Sequence, residues 1–455
     1  MLVLKASLMG HKRLSNPVFA HNSLAADHPE LQEAQTDASQ SQGTQWKTVT
    51  SLPESRIPLS KSIIDTSPQG QDLPQSIWSH KGIQETCLMR YFVDELAQWF
   101  DTCDPSKHFA HVVPQRAETC PALRYAMFSA SARHLSRRQH VRTNEVLCLG
   151  KKLPYLREDA ALEYQSLCIS QLMSLSGDPS EVADENLLAA AVILRFYEEV
   201  DSPLVGVDDE TYLRGVQVFL DAQAAAAVRS GGLRLASFWV GVRQEFHTSF
   251  IKQRVFQLDL SHYDNTTYRL LEQADDPTWA NRVILHCAHT LIYCYGTRSH
   301  TLKEYGQLWD YSQEWQRMVP PTFNPIYSRQ PERSKGEVFP ELWYLDDCIV
   351  TAIQHWHLAR ILLLAFDPRV PRLGLRRRAA VGRREADIKE SMFILCGIAR
   401  SNKAAPALIT ACGDRVTDRL EQEALLDILT ATEETHALST IKAQIQLREA
   451  WGWTI

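Results

Sequence analysis

The feature that most limits what this chain can fold into is the spacing of its apolar residues. From Gln84 to Trp451 they recur three and four positions apart in one segment after another, and stretches alternating apolar with polar residues between turns are almost absent. A period near 3.6 buries one stripe of a helix, whereas a half-buried strand needs a period of two. An all-α, multi-helix architecture is therefore expected. In CLMRYFVDELAQWFDTCDP (87–105), Leu88, Phe92, Leu96, Trp99 and Phe100 share a stripe, while Arg90, Asp94, Glu95 and Gln98 face away. Asp104 precedes Pro105 and is pushed out of the α region, so the helix should stop there. The next segment, Pro121 to about Arg138, turns Leu123, Met127, Ala130 and Leu135 inward and carries Pro121 in its first turn.

The same periodicity marks Tyr155–Leu175, Asp184–Val200, Asp208–Val228, Arg234–Arg254, Thr278–Tyr295, Leu302–Met318, Glu341–Phe366, Gly382–Arg400 and Asp418–Trp451. Asp184, Asp208 and Asp276 with Pro277 read as caps, and Gly231–Gly232 as a break. Two connections look irregular and exposed: the Pro-rich 320–340 and the densely basic 367–384. No repeat of fixed length suggests a solenoid. Before this region, residues 22–80 are rich in Ser, Gln, Pro and Asp, too poor in apolar groups to offset the entropy of ordering. The expected organisation is a largely disordered segment over 1–83 and a helical domain over 84–455. The amino terminus has no apolar stretch of signal-peptide type, and the runs at 187–194 and 361–366 fall short of the roughly 20 residues that span a bilayer. No membrane partner is expected.

With 48 Lys and Arg against 54 Asp and Glu, a formal net charge of -6, the chain as a whole lacks the footprint of a nucleic-acid binder. Its ten cysteines include no CxxC pair and fall mostly within apolar helical patterns. They read as reduced, core-filling thiols in a reducing, intracellular compartment.

Candidate chemistry is thin. In HCAH, His286 and His289 share a helix face while Cys287 points elsewhere, and no further ligand has metal-type spacing; His355 and His357 in HWH diverge. The acid pairs at 208–210, 275–277 and 345–348 lack a second aspartate one turn on, so they do not form the DDxxD clamp by which terpene synthases hold magnesium. The E-x-x-R at 314–317 is not accompanied by a cysteine in the Gly-bearing loop a haem monooxygenase needs. There is no GxSxG elbow, no GxGxxG after a strand and no P-loop. Catalytic, cofactor and metal residues are accordingly assigned to no position, and the chain is not expected to be an enzyme. One cluster stands out: Arg369, Arg372, Arg376, Arg377, Arg378, Arg383 and Arg384. It reads either as a solvated linker paired with nearby acids or, centred on Arg376, Arg377, Arg378, Arg383 and Arg384, as a nuclear-import signal or nucleic-acid patch.

The string 87–135 resembles the opening of the regulatory domain of fungal zinc-cluster transcription factors, in the fungal-specific transcription factor group that includes ARCA-like proteins. The likeness continues in LLAAAVILRFYEEVD (187–201), in RLASFWVGVRQEFHTSFIKQRVFQLDL (234–260), and in DPRVPRLG with LCGIARSN (367–374 and 395–402). Such proteins usually carry six cysteines that hold two zinc ions in an amino-terminal DNA-binding module. Here no cysteine precedes Cys87, so zinc and specific DNA recognition by this chain alone are not carried over, unless the module is encoded upstream. The resemblance implies an all-helical regulatory domain over 84–455, a nuclear location, a role in transcription tied to a biosynthetic gene cluster, partners among other transcription proteins, and a small-molecule effector. The rival expectation is a helical enzyme or small-molecule binder with a pocket in its core.

Overall fold

A computed structural model describes residues 82–140, 146–153, 155–175, 182–201, 211–297, 300–371, 373–402 and 413–453. The segment expected to be disordered lies outside them except for its last two residues. The described residues are all-α, as the periodicity predicts, with two small antiparallel hairpins.

The opening stretch forms α1 (Ile83–Tyr91), a π-helical segment (Phe92–Leu96) and α2 (Ala97–Phe100), which tightens into a 3-10 turn over Asp101–Cys103. Asp104 is extended, with φ -116° and ψ 99°, and ends it as Pro105 requires. Leu88, Phe92 and Leu96 are fully buried and Phe100 nearly so, whereas Arg90, Asp94 and Gln98 are exposed. Each such side chain removed from water contributes roughly 1.5–3 kcal/mol, enough to fix which face points inward. The acids here are structural. Asp101 accepts hydrogen bonds from the amides of Phe109 and Ala110 (2.8 and 2.9 Å) and so caps α3 (His108–His111). Asp104 accepts from the amides of Ser106 and His108 and pairs with the His108 ring (2.8 Å). The short α4 (Val113–Arg116) leads to α5 (Pro121–His140), in which Leu123, Met127, Ala130 and Leu135 are buried.

After the hairpin β1 (Leu147–Cys148) and β2 (Lys151–Lys152) come α6 (Glu158–Leu175), α7 (Glu185–Asp201), α8 (Thr211–Ser230) and α9 (Gly232–Lys252). Every residue of the run Leu187–Leu194 is buried, so α7 has no solvent face there and serves as a central rod, with α5, α8 and α9 packed around it. Gly241 lets α9 approach α8: a Cβ there would meet Leu220 at 2.5 Å. The rest of the layer is α10 (Asp276–Tyr295), α11 (Leu302–Met318), α12 (Asp347–Ala365), α13 (Leu375–Ser401), α14 (Arg419–His436) and α15 (Ile441–Ala450). Among the described residues α12 is long and apolar enough to cross a membrane, but 78% of that window is buried inside the fold. It packs against α10 and α13.

Several boundaries differ from expectation. The helix read as Glu341–Phe366 begins at Asp347, because Glu341–Trp343 is β4, paired antiparallel with β3 (Tyr327–Arg329). Arg329 locks that hairpin by reaching Glu337 (2.6 Å) and Glu341 (3.1 Å). The connection at 320–340 is also not wholly surface, since Phe323, Val338 and Phe339 are buried. The cap of α10 is Asp275, which accepts from the Thr278 amide at 3.0 Å, rather than Asp276. Asp208 lies outside the described residues. The single helix expected over Asp418–Trp451 is broken into α14 and α15 at Ala437, whose φ of 54° is left-handed. The basic connection is corrected most: α13 starts at Leu375, not at Gly382. Gly374 takes φ 86°, which starts the helix, and Leu, Arg and Ala are strong helix formers that carry it through Gly382, where nothing lies within 4 Å.

Candidate functional site

The structure gathers an interior polar cluster where α2, α7, α9 and α12 meet. Its source is the middle of α9, where Arg243, Gln244 and Glu245 are all buried although the periodic pattern would send some of them outward. Arg243 donates from Nη2 to the carbonyl of Phe100 at 2.9 Å, satisfying the carbonyl end of α2. Gln244 donates to the Val192 carbonyl of α7 at 3.0 Å. Arg195 of α7 pairs with Glu198 one turn on (2.7 Å) and donates to the Thr248 hydroxyl of α9 (3.0 Å). Glu245 is held by a fork from Arg254 (2.6 and 3.0 Å), by the Ser249 hydroxyl (2.9 Å) and by the Gln257 amide (3.0 Å). Buried ions at this density persist only when each is paired or hydrogen-bonded.

Three titratable groups in the cluster are shifted towards neutrality. Burial raises the Glu199 carboxyl to about 7, against the opposing pull of Arg195 and Arg243. Burial lowers His247 to about 4, with Arg243 acting in the same direction. It lowers His355 to about 3, aided by His247 and opposed by the hydrogen bond from its ring to the Thr351 carbonyl. The two rings stack with centroids 5.8 Å apart. These are neutral imidazoles in a packed interior, held between Phe246 and the wall of α12.

Two sulfur pairs border the same region. Cys103, at the end of the 3-10 turn, and Cys348, in the first turn of α12, are both buried. The Cys348 side chain, with the Arg243 guanidinium, holds Cys103 below the ordinary thiol range against the effect of burial. The second pair, Cys87 and Cys148, exchanges longer contacts: each thiol points at the other's carbonyl, at 4.0 and 3.6 Å. Burial and the neighbouring Cys87 push Cys148 up to about 11.

The residues that spacing singled out as candidate ligands are not brought together. His286 is buried with neither ring nitrogen hydrogen-bonded among the described residues, and its ring lies against Tyr311 at 5.0 Å. Cys287 turns the other way and donates to the His355 carbonyl at 2.8 Å. His289 lies 3.8 Å from Asp264, and His357 packs on Trp356. Among the described residues no three of His, Cys, Asp and Glu are placed to hold a metal ion. Glu314 and Arg317 form only an exposed pair at 3.2 Å. Two surface depressions, of about 500 Å³ on α6 and about 710 Å³ on α11, are each lined by a single helix and do not reach the polar cluster.

The basic run divides. Arg369 is folded back onto Asp367 (2.9 Å) and over the rings of Tyr305 and Trp309 (4.7 and 4.9 Å), a structural position. Arg384 is half-buried and pairs with Glu385 at 3.2 Å. Arg372 lies outside the described residues. Arg376, Arg377, Arg378 and Arg383 are exposed on the first turns of α13, and no ion pair reaches them among the described residues. The first three sit at the positive end of the helix dipole, where cations are unfavourable by about 0.3–1 kcal/mol each. Their placement therefore does not serve the stability of α13.

The polar half of the cluster supplied by α9 was missed by pattern reasoning, which treats Arg, Gln and Glu as outward. Its visible signal was the all-apolar run of α7, which requires neighbours on every side. Residues 87–225 match the model of the fungal specific transcription factor domain, a span that runs from α1 into α8 and includes Arg195, Glu198 and Glu199. No curated protein and no solved structure matches the chain.

Proposed function

We infer, from the premise that residues 87–225 are a fungal specific transcription factor domain, that this chain is a nuclear transcription regulator working through contacts with other transcription proteins. The domain match is the observation that carries the reading. In support of protein contacts, no cysteine precedes Cys87, so residues 1–86 offer no zinc-cluster ligand set. The likeness read further along, at 234–260, 367–374 and 395–402, extends the same domain to the helices after 225, and a biosynthetic gene cluster is the class of target it suggests. The unpaired Arg376–Arg378 and Arg383 favour the import reading of the basic run over the solvated linker, because acids do pair with Arg369 and Arg384 but not with these four among the described residues.

The test is genome-wide transcript measurement in a strain lacking the gene, set beside affinity purification of the tagged chain. A confined set of altered transcripts and co-purification with a DNA-bound transcription protein are expected. Unchanged transcripts under every condition tried would end the proposal. The competing reading, a small-molecule binder or enzyme with a core pocket, draws on the Glu199, His247 and His355 group. Those side chains are packed by their own neighbours, and neither depression described opens onto them.

A further inference from the structure

We propose that the free start of α13 is a docking arm, which unwinds into a groove lined by carboxylates and apolar pockets on a carrier for nuclear import. The inference rests on the import reading and deepens it by assigning how the arm is held. α13 has two unequal parts. From Glu385 onward it is fastened: Ile388, Met392, Leu395 and Cys396 are buried, and Glu385 pairs with Arg415. Arg360 of α12 reaches Asp387 and Glu390 (3.7 and 3.5 Å), and Lys389 reaches Glu421 of α14 (2.6 Å). At its start the helix leaves the body. Every residue from Leu373 to Ala379 is exposed, and among the described residues no ion pair reaches Arg376, Arg377 or Arg378.

Two observations select the partner. Leu373 and Leu375 are 86% and 87% exposed, more than any other large apolar side chain among the described residues. Three unpaired guanidinium groups call for carboxylates or phosphates, but a phosphate backbone offers the leucines nothing, whereas a protein groove supplies both kinds of contact. The acids that follow on α13, Glu385, Asp387 and Glu390, and the net charge of -6 also oppose a long polyanion such as DNA.

The same residues select the conformation. Along a helix consecutive side chains diverge by about 100°, so Arg376, Arg377 and Arg378 point three ways and one surface meets at most two of them. In an extended chain side chains alternate between two sides, and a groove with two acidic walls meets all three. Unwinding Leu375–Ala379 gives up little packing, because all five residues are exposed, and it removes three cations from the positive end of the helix dipole. A helix this short is not stable by itself in water; it persists as a continuation of the fastened part.

The experiment uses the full-length protein and a purified carrier of basic import signals, with binding followed by fluorescence anisotropy and import by the location of a fluorescent fusion. Ala379→Pro removes the helical hydrogen bond back to Leu375 and clashes with its carbonyl, which unwinds the arm without touching a charge. This variant should bind the carrier at least as tightly as the wild type and still enter the nucleus, with an unchanged urea midpoint showing that the body stays folded. Replacing Arg376, Arg377 and Arg378 together by alanine should weaken binding by at least about tenfold, and Leu373→Ser with Leu375→Ser by about tenfold. An Ala379→Pro variant that loses as much affinity as the triple arginine variant would show that the arm docks as a helix, overturning the proposal and leaving the import reading in place. A triple variant that binds and enters the nucleus like the wild type would end both. Tighter binding through the same arginines to a random-sequence DNA duplex than to the carrier, at the same salt, would overturn the choice of partner.

Discussion

Mild acid should unfold this protein, and its buried histidines set where. Burial pushes His134, His286, His355 and His357 down to about 3, and His247, His289 and His436 to about 4, from an ordinary value of 6.5. A histidine whose folded pKa is depressed binds fewer protons folded than unfolded, so nothing is lost above pH 6.5, and stability falls as pH drops from there towards the folded value. Between pH 6.5 and 5.5 each such group costs about 1 kcal/mol, and the seven together about 7 kcal/mol. Glu199, raised to about 7, and Asp101, raised to about 6, act oppositely: each takes up a proton in the fold before it would in the unfolded chain. Together they return about 2 kcal/mol over the same unit. The net loss of about 5 kcal/mol is comparable with the whole stability of an ordinary domain, about 5–15 kcal/mol. Unfolding followed by tryptophan fluorescence and far-ultraviolet circular dichroism should therefore show a steep acid transition centred between about pH 5 and 6, by the same linkage. His286→Leu isolates one group: both ring nitrogens of His286 are buried without hydrogen-bond partners among the described residues, so the variant should gain about 1 kcal/mol on the wild type between pH 6.5 and 5.5 in urea titrations. A protein still cooperatively folded at pH 4.5, or a His286→Leu variant whose advantage does not grow as pH falls, would refute the reasoning.

Other outcomes are as definite. Glu245→Ala strands the Arg254 guanidinium in the interior and should cost about 3–5 kcal/mol in chemical denaturation, while Arg90→Ala, at the exposed Asp94 pair, should cost less than about 1. Two glycines of α13 should respond with opposite signs to alanine. At Gly397 a Cβ would collide with the Pro340 carbonyl and should destabilise by about 1–3 kcal/mol, whereas at the open Gly382 alanine should stabilise by about 0.5–1, both read from urea midpoints. Replacing Arg376, Arg377 and Arg378 by alanine should reduce nuclear accumulation of a fluorescent fusion; unchanged localisation returns the run to a solvated role. In gel-shift titrations the purified chain should show only binding that fades steeply with salt, and a salt-resistant, sequence-selective shift would contradict the expectation that this chain alone does not recognise specific DNA.

How far the sequence could be read depended on what burial does to each kind of residue. The stripe Leu88–Phe92–Leu96 and the inward face of Pro121–Arg138 were legible because apolar spacing alone decides them. The start of α12 was not, because Glu341–Trp343 is too short to show an alternating period and is defined by its partner strand at Tyr327–Arg329. The start of α13 was hidden by a rule of thumb that reads clustered arginines and glycines as loop, although arginine is a good helix former and only Gly374 needs a left-handed φ. The interior polar cluster was the least visible part. Nothing local marks Arg243 as inward; its position follows from the Phe100 carbonyl, 143 residues earlier, which no periodicity in α9 can reveal.

The π-helical segment at Phe92–Leu96 has a consequence for how this chain tolerates change in length. A π-turn is in effect one residue added to an α-helix. Removing one residue there would restore regular winding and leave the flanking segments on nearly their present faces, because the extra residue is taken up by the bulge itself. Cys87 and Leu88 before it and Phe100 after it would keep facing the core. Removing a residue from the regular winding of α1 would instead turn what precedes it by about 100°. The opening helix thus has one place where a residue can be lost, and that place is the π-turn.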